Sequence, residues 1–544
     1  MMQKTTIVAA SAGVCGMTMY LLLLRNEKSL SLRLRTWLRL MKEYGQLRSV
    51  YSAHLLEGFF DYGKPCGRFE DLTSHPAFKE LEALRAVKSE NKVSFVADFS
   101  VLPTYLPIEE GAAACLGALG LAAADLLEAR GGPSQVVTVK QSDAGLSTAG
   151  YMFLKVKKEG TLYKGCDGFQ LTIAQEGTVN PTRRAYKCGD GHFLFFHGGF
   201  PKLKQGLLDF LRCGATVEDI SKATAAYEKS DDLEASMRAK GLAVTKCRTP
   251  KEWRASEQGK AVAQLPPICF KNVLNKKEES PPVRLLKPGI RPLSDVIVVD
   301  FSHVIASPMV GRTLAEHGAT VFKVFTSKRP RRKLFDEETN NGKVPLNLDL
   351  DIQEDIERLW DLLKVADVLI DGYTAGVLSA KGFDTNSLNA RCPHLVYLRV
   401  SCYGHVGPWA KHKGFQQNAN FATGIATIDD EALLCYQLTS QVDYTTGFLG
   451  AMGVIVALTK RQLNETNGLT VVNTSLCQAA TWMARFGARM PSRLDFYQRV
   501  SRLIWGLDYM MITDGNLQYL PPALSMSHSP PARVTGFQRW WNDN

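Results

Sequence analysis

No Cys-x-x-C pair occurs in the 544 residues, although twelve cysteines are spread from Cys15 to Cys477. Its absence removes the usual spelling of a zinc site or a disulfide framework, and the scattered thiols fit a reduced compartment. Strong charge asymmetry is lacking as well. The formal net charge is +11, but residues 1–50 account for +6 of it, with eight Lys/Arg against Glu27 and Glu43, which leaves +5 for the body. So small an excess argues against a nucleic-acid partner. The glycine fingerprint of a phosphate loop is missing too. The turn where it would stand reads Ser302-His303-Val304-Ile305-Ala306-Ser307-Pro308, which disfavours dinucleotide binding. No peroxisomal tripeptide ends the chain, Trp540-Trp541-Asn542-Asp543-Asn544.

What is present is a globular composition, 45% hydrophobic and 22% charged, on a chain long enough for two or more domains. Residues 5–24 carry no charge, about the length of a membrane-spanning helix. Lys4 precedes them and Arg25, Lys28, Arg33, Arg35 and Arg39 follow, so a membrane anchor with the body facing the cytosol is expected. The Leu/Arg block Ser29 to Lys42 leaves a mitochondrial presequence as the alternative, and a secretory signal as a third. The chain is divided into a leader (1–50), a first half (51–265), a Pro- and charge-rich linker (266–292), a second half (293–482) and a C-terminal extension (483–544).

The second half opens as a βαβ unit. Asp295 to Asp300 is a short apolar run, the mark of a strand buried on both faces. Ser307-Pro308 reads as cap and first-turn proline of a helix from Met309 to His317, closed by Gly318 before a strand from Thr320 to Phe325. Strands are predicted at Val344–Leu350, Asp367–Asp371 and His394–Val400, and helices at Ile352–Val365 and Ala375–Gly382. The fold class is therefore α/β, with a doubly wound parallel sheet. The run Lys328-Arg329-Pro330-Arg331-Arg332-Lys333 reads as a solvated loop or as a phosphate-binding loop at the sheet edge.

Asp443 stands at the start of a small-residue helix, Phe448-Leu449-Gly450-Ala451-Met452-Gly453. A carboxylate there is favoured by the helix N-terminus, either as a plain N-cap or as a nucleophile. An echo of that helix lies in the first half, where Leu116-Gly117-Ala118-Leu119-Gly120 matches Leu449 to Gly453 and places Glu110 opposite Asp443.

Taken together, these segments resemble the class III CoA-transferase family, which includes formyl-CoA transferase, the carnitine CoA-transferases and alpha-methylacyl-CoA racemase. The likeness rests on Val299 to Pro308, Leu314-Ala315-Glu316-His317-Gly318-Ala319, Asn341-Gly342-Lys343 with Leu348-Asp349-Leu350, Ala366 to Leu369, Gly376-Val377-Leu378 and Tyr403 to Trp409. In the first half, Tyr186 to Phe193 is similar to the family's small-domain hairpin, and Lys251 to Gln264 to its late helices. The resemblance implies a doubly wound sheet domain, a smaller α+β domain and a truncated internal repeat. It implies a CoA-transferase moving CoA between carboxylic acids through a covalent intermediate on Asp443, with acyl-CoA and a carboxylic acid as small-molecule partners and no metal. Coenzyme A, as the substrate thioester, would lie along His303, Ile305 and Ala306, with its phosphates at Lys343 and the run 328–333 and its acyl end at Tyr403 and Gly404. A homodimer is implied as well.

This sequence departs from the family pattern at two places. Thr374 stands where an Arg is common, and Phe415 where the racemase branch has a His. The second departure removes a base that two-base epimerisation needs, so an acyl-CoA racemase is the lesser alternative. A catalytically silent, membrane-tethered binding protein of the same fold is the other. The first copy, with Glu110, reads as structural.

Overall fold

The computed structural model describes residues 67–532, except 88, 103, 105, 159–160, 164–179, 274–284, 327, 329–332, 427–438, 488–493, 496–497, 500–501, 503–511 and 515–516. The leader with its expected anchor and most of the basic run lie outside the described residues.

The first half begins with a parallel pair, β1 (Lys92–Val96) and β2 (Val136–Lys140), joined by the 22-residue helix α1 (Ile108–Ala129). An antiparallel domain follows. Strands β3 (Arg183–Lys187) and β4 (Phe193–His197) form the hairpin expected around Tyr186 to Phe193, with Gly191 at a positive φ of 84° in its turn. Helices α2 (Pro201–Leu211), α3 (Val217–Ala225) and α4 (Ser230–Ala239) cover one face before β5 (Val244–Lys246) adds to the hairpin. Leu194, Phe196, Ile220, Leu233, Met237 and Val244 make this domain's own core.

The expected linker is partly sheet. Cys269–Val273 forms β6, an antiparallel edge strand of the main sheet. Pro266 and Pro267 just before it suggested a linker, but both precede the strand and so cost the ladder no donor. The second half supplies β7 (Ile297–Phe301), α5 (Ala306–Glu316), β8 (Thr320–Phe325), β9 (Val344–Asn347), α6 (Gln353–Val365), β10 (Val368–Asp371), β11 (Val396–Ser401), α7 (Gln416–Thr423), α8 (Gln441–Gln462), β12 (Leu469–Ser475) and α9 (Leu476–Ala484). The seven strands lie in the order β9-β8-β7-β10-β11-β12-β6, all parallel except β6. This is the doubly wound arrangement expected, and its strand order reverses between β7 and β10, where such sheets bind ligands beyond their carboxyl ends.

Two local expectations are corrected. Helix α5 starts at Ala306 with Ile305 as N-cap, not at Ser307, because Val304 at φ 73° turns the chain two residues earlier. No α-helix spans Ala375–Gly382. Gly376 at φ 95° breaks it, and a single 3-10 turn at Ser379–Lys381 takes its place.

The internal repeat is structural. Helices α1 and α8 each have 22 residues, carry Glu110 and Asp443 at their third positions, and pack against one another. A Cβ on Gly120 would lie 2.5 Å from Val137 of β2, and one on Gly453 would lie 2.7 Å from Val472 of β12. The two helices thus approach equivalent strands through equivalent glycines. The match extends to the edges. Leu524–Met526 (β13), within the expected C-terminal extension, pairs antiparallel with β2 as β6 pairs with β12. By length and hydropathy α1 and α8 would each pass as a membrane span, yet 89% and 94% of the relevant windows are buried inside the protein. Their apolar length belongs to a core shared by both halves.

Candidate active site

Asp443 occupies the first turn of α8 but does not cap it. Ser440 is the N-cap, and the capping work falls to Gln416 of α7, whose Oε1 accepts the Asp443 N–H at 3.0 Å while its Nε2 donates to the Thr439 carbonyl at 3.0 Å. The Asp443 carboxylate is therefore released from the role sequence offered as the bland alternative. Among the described residues its oxygens accept no hydrogen bond. Burial pushes its pKa up to about 7, opposed only in part by the positive charge of Arg183 on β3. The residue keeps an opening to solvent. A carboxyl raised by burial, and not consumed by a donor, is the pattern of a reactive group more than of a structural one.

One turn further along α8, Gly447 sets what Asp443 faces. A Cβ there would lie 2.5 Å from Met309 Cβ and 2.9 Å from the Ala306 carbonyl oxygen, so only glycine lets the two helices meet. Residues four apart share a helix face, which directs Asp443 toward the loop that feeds α5. Val304 in that loop holds a left-handed φ, an uncommon conformation for a β-branched residue. The loop is braced from behind. Asp300 receives Lys323 at 3.2 Å and Lys343 at 2.7 Å, and Lys323 also donates to the Ser302 carbonyl at 2.6 Å. On the other side, a Cβ at Gly372 would lie 2.3 Å from Ser307, so the loops after β7 and β10 touch at the switch point.

The expected site residues divide accordingly. Ile305 and Ala306 lie at the start of α5 against α8, and His303 stands half-exposed at the crevice, stacked parallel to Tyr373 with centroids 6.3 Å apart. These are brought toward Asp443. Lys343 is not available as a phosphate ligand, because its ammonium is fully buried between Asp300, the Pro308 carbonyl and Asn340, with its pKa pushed down to about 7 by burial. Lys328 is exposed and engaged with Asp349 and Asp351. Tyr403 is buried, its hydroxyl 2.7 Å from Thr245 Oγ1, which also accepts from Asn418 of α7 at 3.1 Å. Through Thr245 it supports Asn418 of α7. Gly404 sits next to it at φ 101°, packed toward Val262.

Sequence reasoning missed Arg183, His197, Phe200, Tyr373 and Gln416. Phe415 stacks on His197 at 4.0 Å, and the register of the hairpin sets His197 directly across from Arg183. The only signal for Gln416 was its place after Phe415. Nothing in spacing ties it to a residue on the next helix. Among the described residues no group of three or more His, Cys, Asp or Glu could hold a metal ion.

With this geometry in place, comparison with known proteins gives one assignment. Residues 293–495 match the model of CoA-transferase family III. The chain's second half is thus similar to CoA-transferase family III, and its seven-stranded, mostly parallel sheet is consistent with a mixed α/β fold of that kind. An acetyl-coenzyme A transferase of Hypoxylon pulicicidum is 34% identical over 203 residues, 36% of this chain and 34% of that protein. An acyl-CoA transferase of Gibberella moniliformis is 29% identical over 255 residues, 44% of each chain. The alignments thus span a third to under a half of these relatives. A crystal structure of Rv3272 from Mycobacterium tuberculosis superposes with a TM-score of 0.32 at 25% identity, covering 35% of this chain and 57% of that one.

Proposed function

We propose that the protein transfers coenzyme A between carboxylic acids, with Asp443 as the covalent nucleophile. The observation that carries this is a carboxylate in the first turn of a helix, freed from capping by Gln416, half-sealed from water and one turn before Gly447, where α8 meets the start of α5. The names of the similar proteins, acetyl-coenzyme A, acyl-CoA and succinyl-CoA–L-malate CoA-transferases, support the same reaction class.

The steps balance without any further reagent. An ionised Asp443 oxygen attacks the thioester carbonyl carbon; the C–S bond breaks, the thiolate of CoA leaves, and a mixed anhydride remains on Asp443. The thiolate attacks the aspartyl carbonyl, expelling the first carboxylate and leaving an aspartyl thioester. An incoming carboxylate then attacks that thioester, and the thiolate, freed again, takes the new acyl group and restores Asp443. Each step passes one negative charge between oxygen and sulfur, so no proton need move. The positive end of α8 and the guanidinium of Arg183 favour that charge near Asp443.

The test is to incubate the full chain with an acyl-CoA, quench with hydroxylamine, and map the adduct by mass spectrometry. Modification at Asp443 that disappears in Asp443→Asn supports transfer. CoA binding with no adduct on any residue would overturn it in favour of a non-catalytic binding protein. Exchange of the α-proton in deuterated water without an adduct would point to a racemase.

A further inference from the structure

We infer that the acyl group handled at Asp443 is an apolar monocarboxylic one, selected by Phe200 and Phe415; this rests on the transferase reading above. Five rings run in an unbroken series from the switch-point crevice to the neighbourhood of Asp443. Tyr373 lies parallel to His303 at 6.3 Å, His303 is 5.5 Å from Phe200, Phe200 stacks on Phe415 at 5.2 Å, and Phe415 stacks on His197 at 4.0 Å. The residue after Phe415 is Gln416, which holds the Asp443 N–H. The series therefore passes, at Phe415, one residue away from the group that positions the nucleophile.

Tyr373, His303, Phe200 and Phe415 each keep part of their surface open. Part of this aromatic surface therefore stays accessible, where a core would have closed it. Apolar area on a bound chain gains about 25 cal/mol for each Å² it removes from water against such a surface, and aromatic faces add contact with flat groups. Charge points the same way. Among the described residues, Arg183 is the charged side chain that acts on Asp443, and its role there is spent on the reacting carboxylate. A second carboxylate, carried at the far end of a dicarboxylic acyl chain, would have to be desolvated against these aromatic faces.

The experiment measures adduct formation and kcat/KM of the full chain with hexanoyl-, benzoyl-, acetyl- and succinyl-CoA, using propionate as acceptor. Hexanoyl- or benzoyl-CoA is expected to exceed succinyl-CoA by about tenfold or more, the size of burying most of one apolar side chain. Phe200→Ala should lower kcat/KM for the favoured thioester about tenfold more than it lowers kcat/KM for acetyl-CoA. Phe415→Leu supplies a second variant, which keeps bulk beside Gln416 but loses the stack on His197. Equal or faster reaction with succinyl-CoA overturns the apolar assignment while leaving the transferase standing. An equal loss for acetyl- and hexanoyl-CoA in both variants overturns the role of the rings. No adduct from any thioester overturns the transferase reading and this inference together.

Discussion

Glu109, the neighbour of Glu110, and Asp443 both stand in the first turns of the matching helices, and their surroundings give them opposite characters. Glu109 is buried and takes four donors, from Ser100 Oγ at 2.6 Å, the N–H groups of Val101 and Leu102 at 2.7 and 2.9 Å, and Gln141 Nε2 at 2.7 Å. It is a locked structural carboxylate. Asp443 has none of these, and its pKa is pushed up to about 7. Since the attacking form is the anion, we expect kcat/KM to rise with pH through an apparent pKa near 7, read from a pH–rate profile of the transfer reaction. Arg183→Met removes the charge that favours the anion and should move that rising limb to higher pH. Stability should respond in the opposite sense. The folded protein holds the Asp443 proton up to about pH 7, whereas the unfolded chain releases it near 4, so folding loses stability as pH rises through that window. Asp443→Asn carries no such penalty. Its Tm advantage over the parent, measured by calorimetry, should grow from pH 4 to 7 and then level off.

At the scale of elements, close glycine contacts decide where helices sit. A Cβ at Gly453 would lie 2.7 Å from both Ile268 and Val472, and one at Gly120 would lie 2.5 Å from Val137. Gly453→Val and Gly120→Val should each destabilise by about 1–3 kcal/mol or more through overpacking, visible as lowered denaturation midpoints. Such contacts explain what the residues alone disclosed. The strand Ile297–Phe301, helix α5 and strand β8 were legible because an apolar run, a first-turn proline and Gly318 are local signals. The echo between Leu116–Gly120 and Leu449–Gly453 was legible because a repeated glycine spacing reflects a repeated packing. Strand β6 was not, since an edge strand with three half-buried and two exposed residues has little hydrophobic pattern to display. Asp443 could be picked out from its place at a helix start. Gln416, Arg183 and the ring series could not, because they reach Asp443 from three separate segments and only the fold brings those together. Lys343 misled for a related reason: a lysine near a sheet edge looks like a phosphate ligand until Asp300 is seen to hold it.

The whole molecule is tied together by crossed edges. The first-half sheet is closed by β13, near the end of the described chain, and the second-half sheet by β6, which directly follows the first half. Arg130, at the end of α1, reinforces the crossing by donating to the carbonyls of Lys287 and Pro292 in the linker and of Ser294 at the start of the second half. Gln135, just before β2, accepts the N–H groups of His528 and Ser529 at 3.1 and 2.9 Å. Deleting residues 520–532 should therefore leave the β2 edge unpaired, and we expect concentration-dependent aggregation by light scattering while far-UV circular dichroism keeps much of its signal. For a chain made from the N-terminus, the same arrangement has a temporal meaning. β1, α1 and β2 leave the ribosome hundreds of residues before β13 exists, so the early half must wait for the segment Leu524–Met526 before its sheet can be finished. During that interval its edge stands open to chaperones and to other chains.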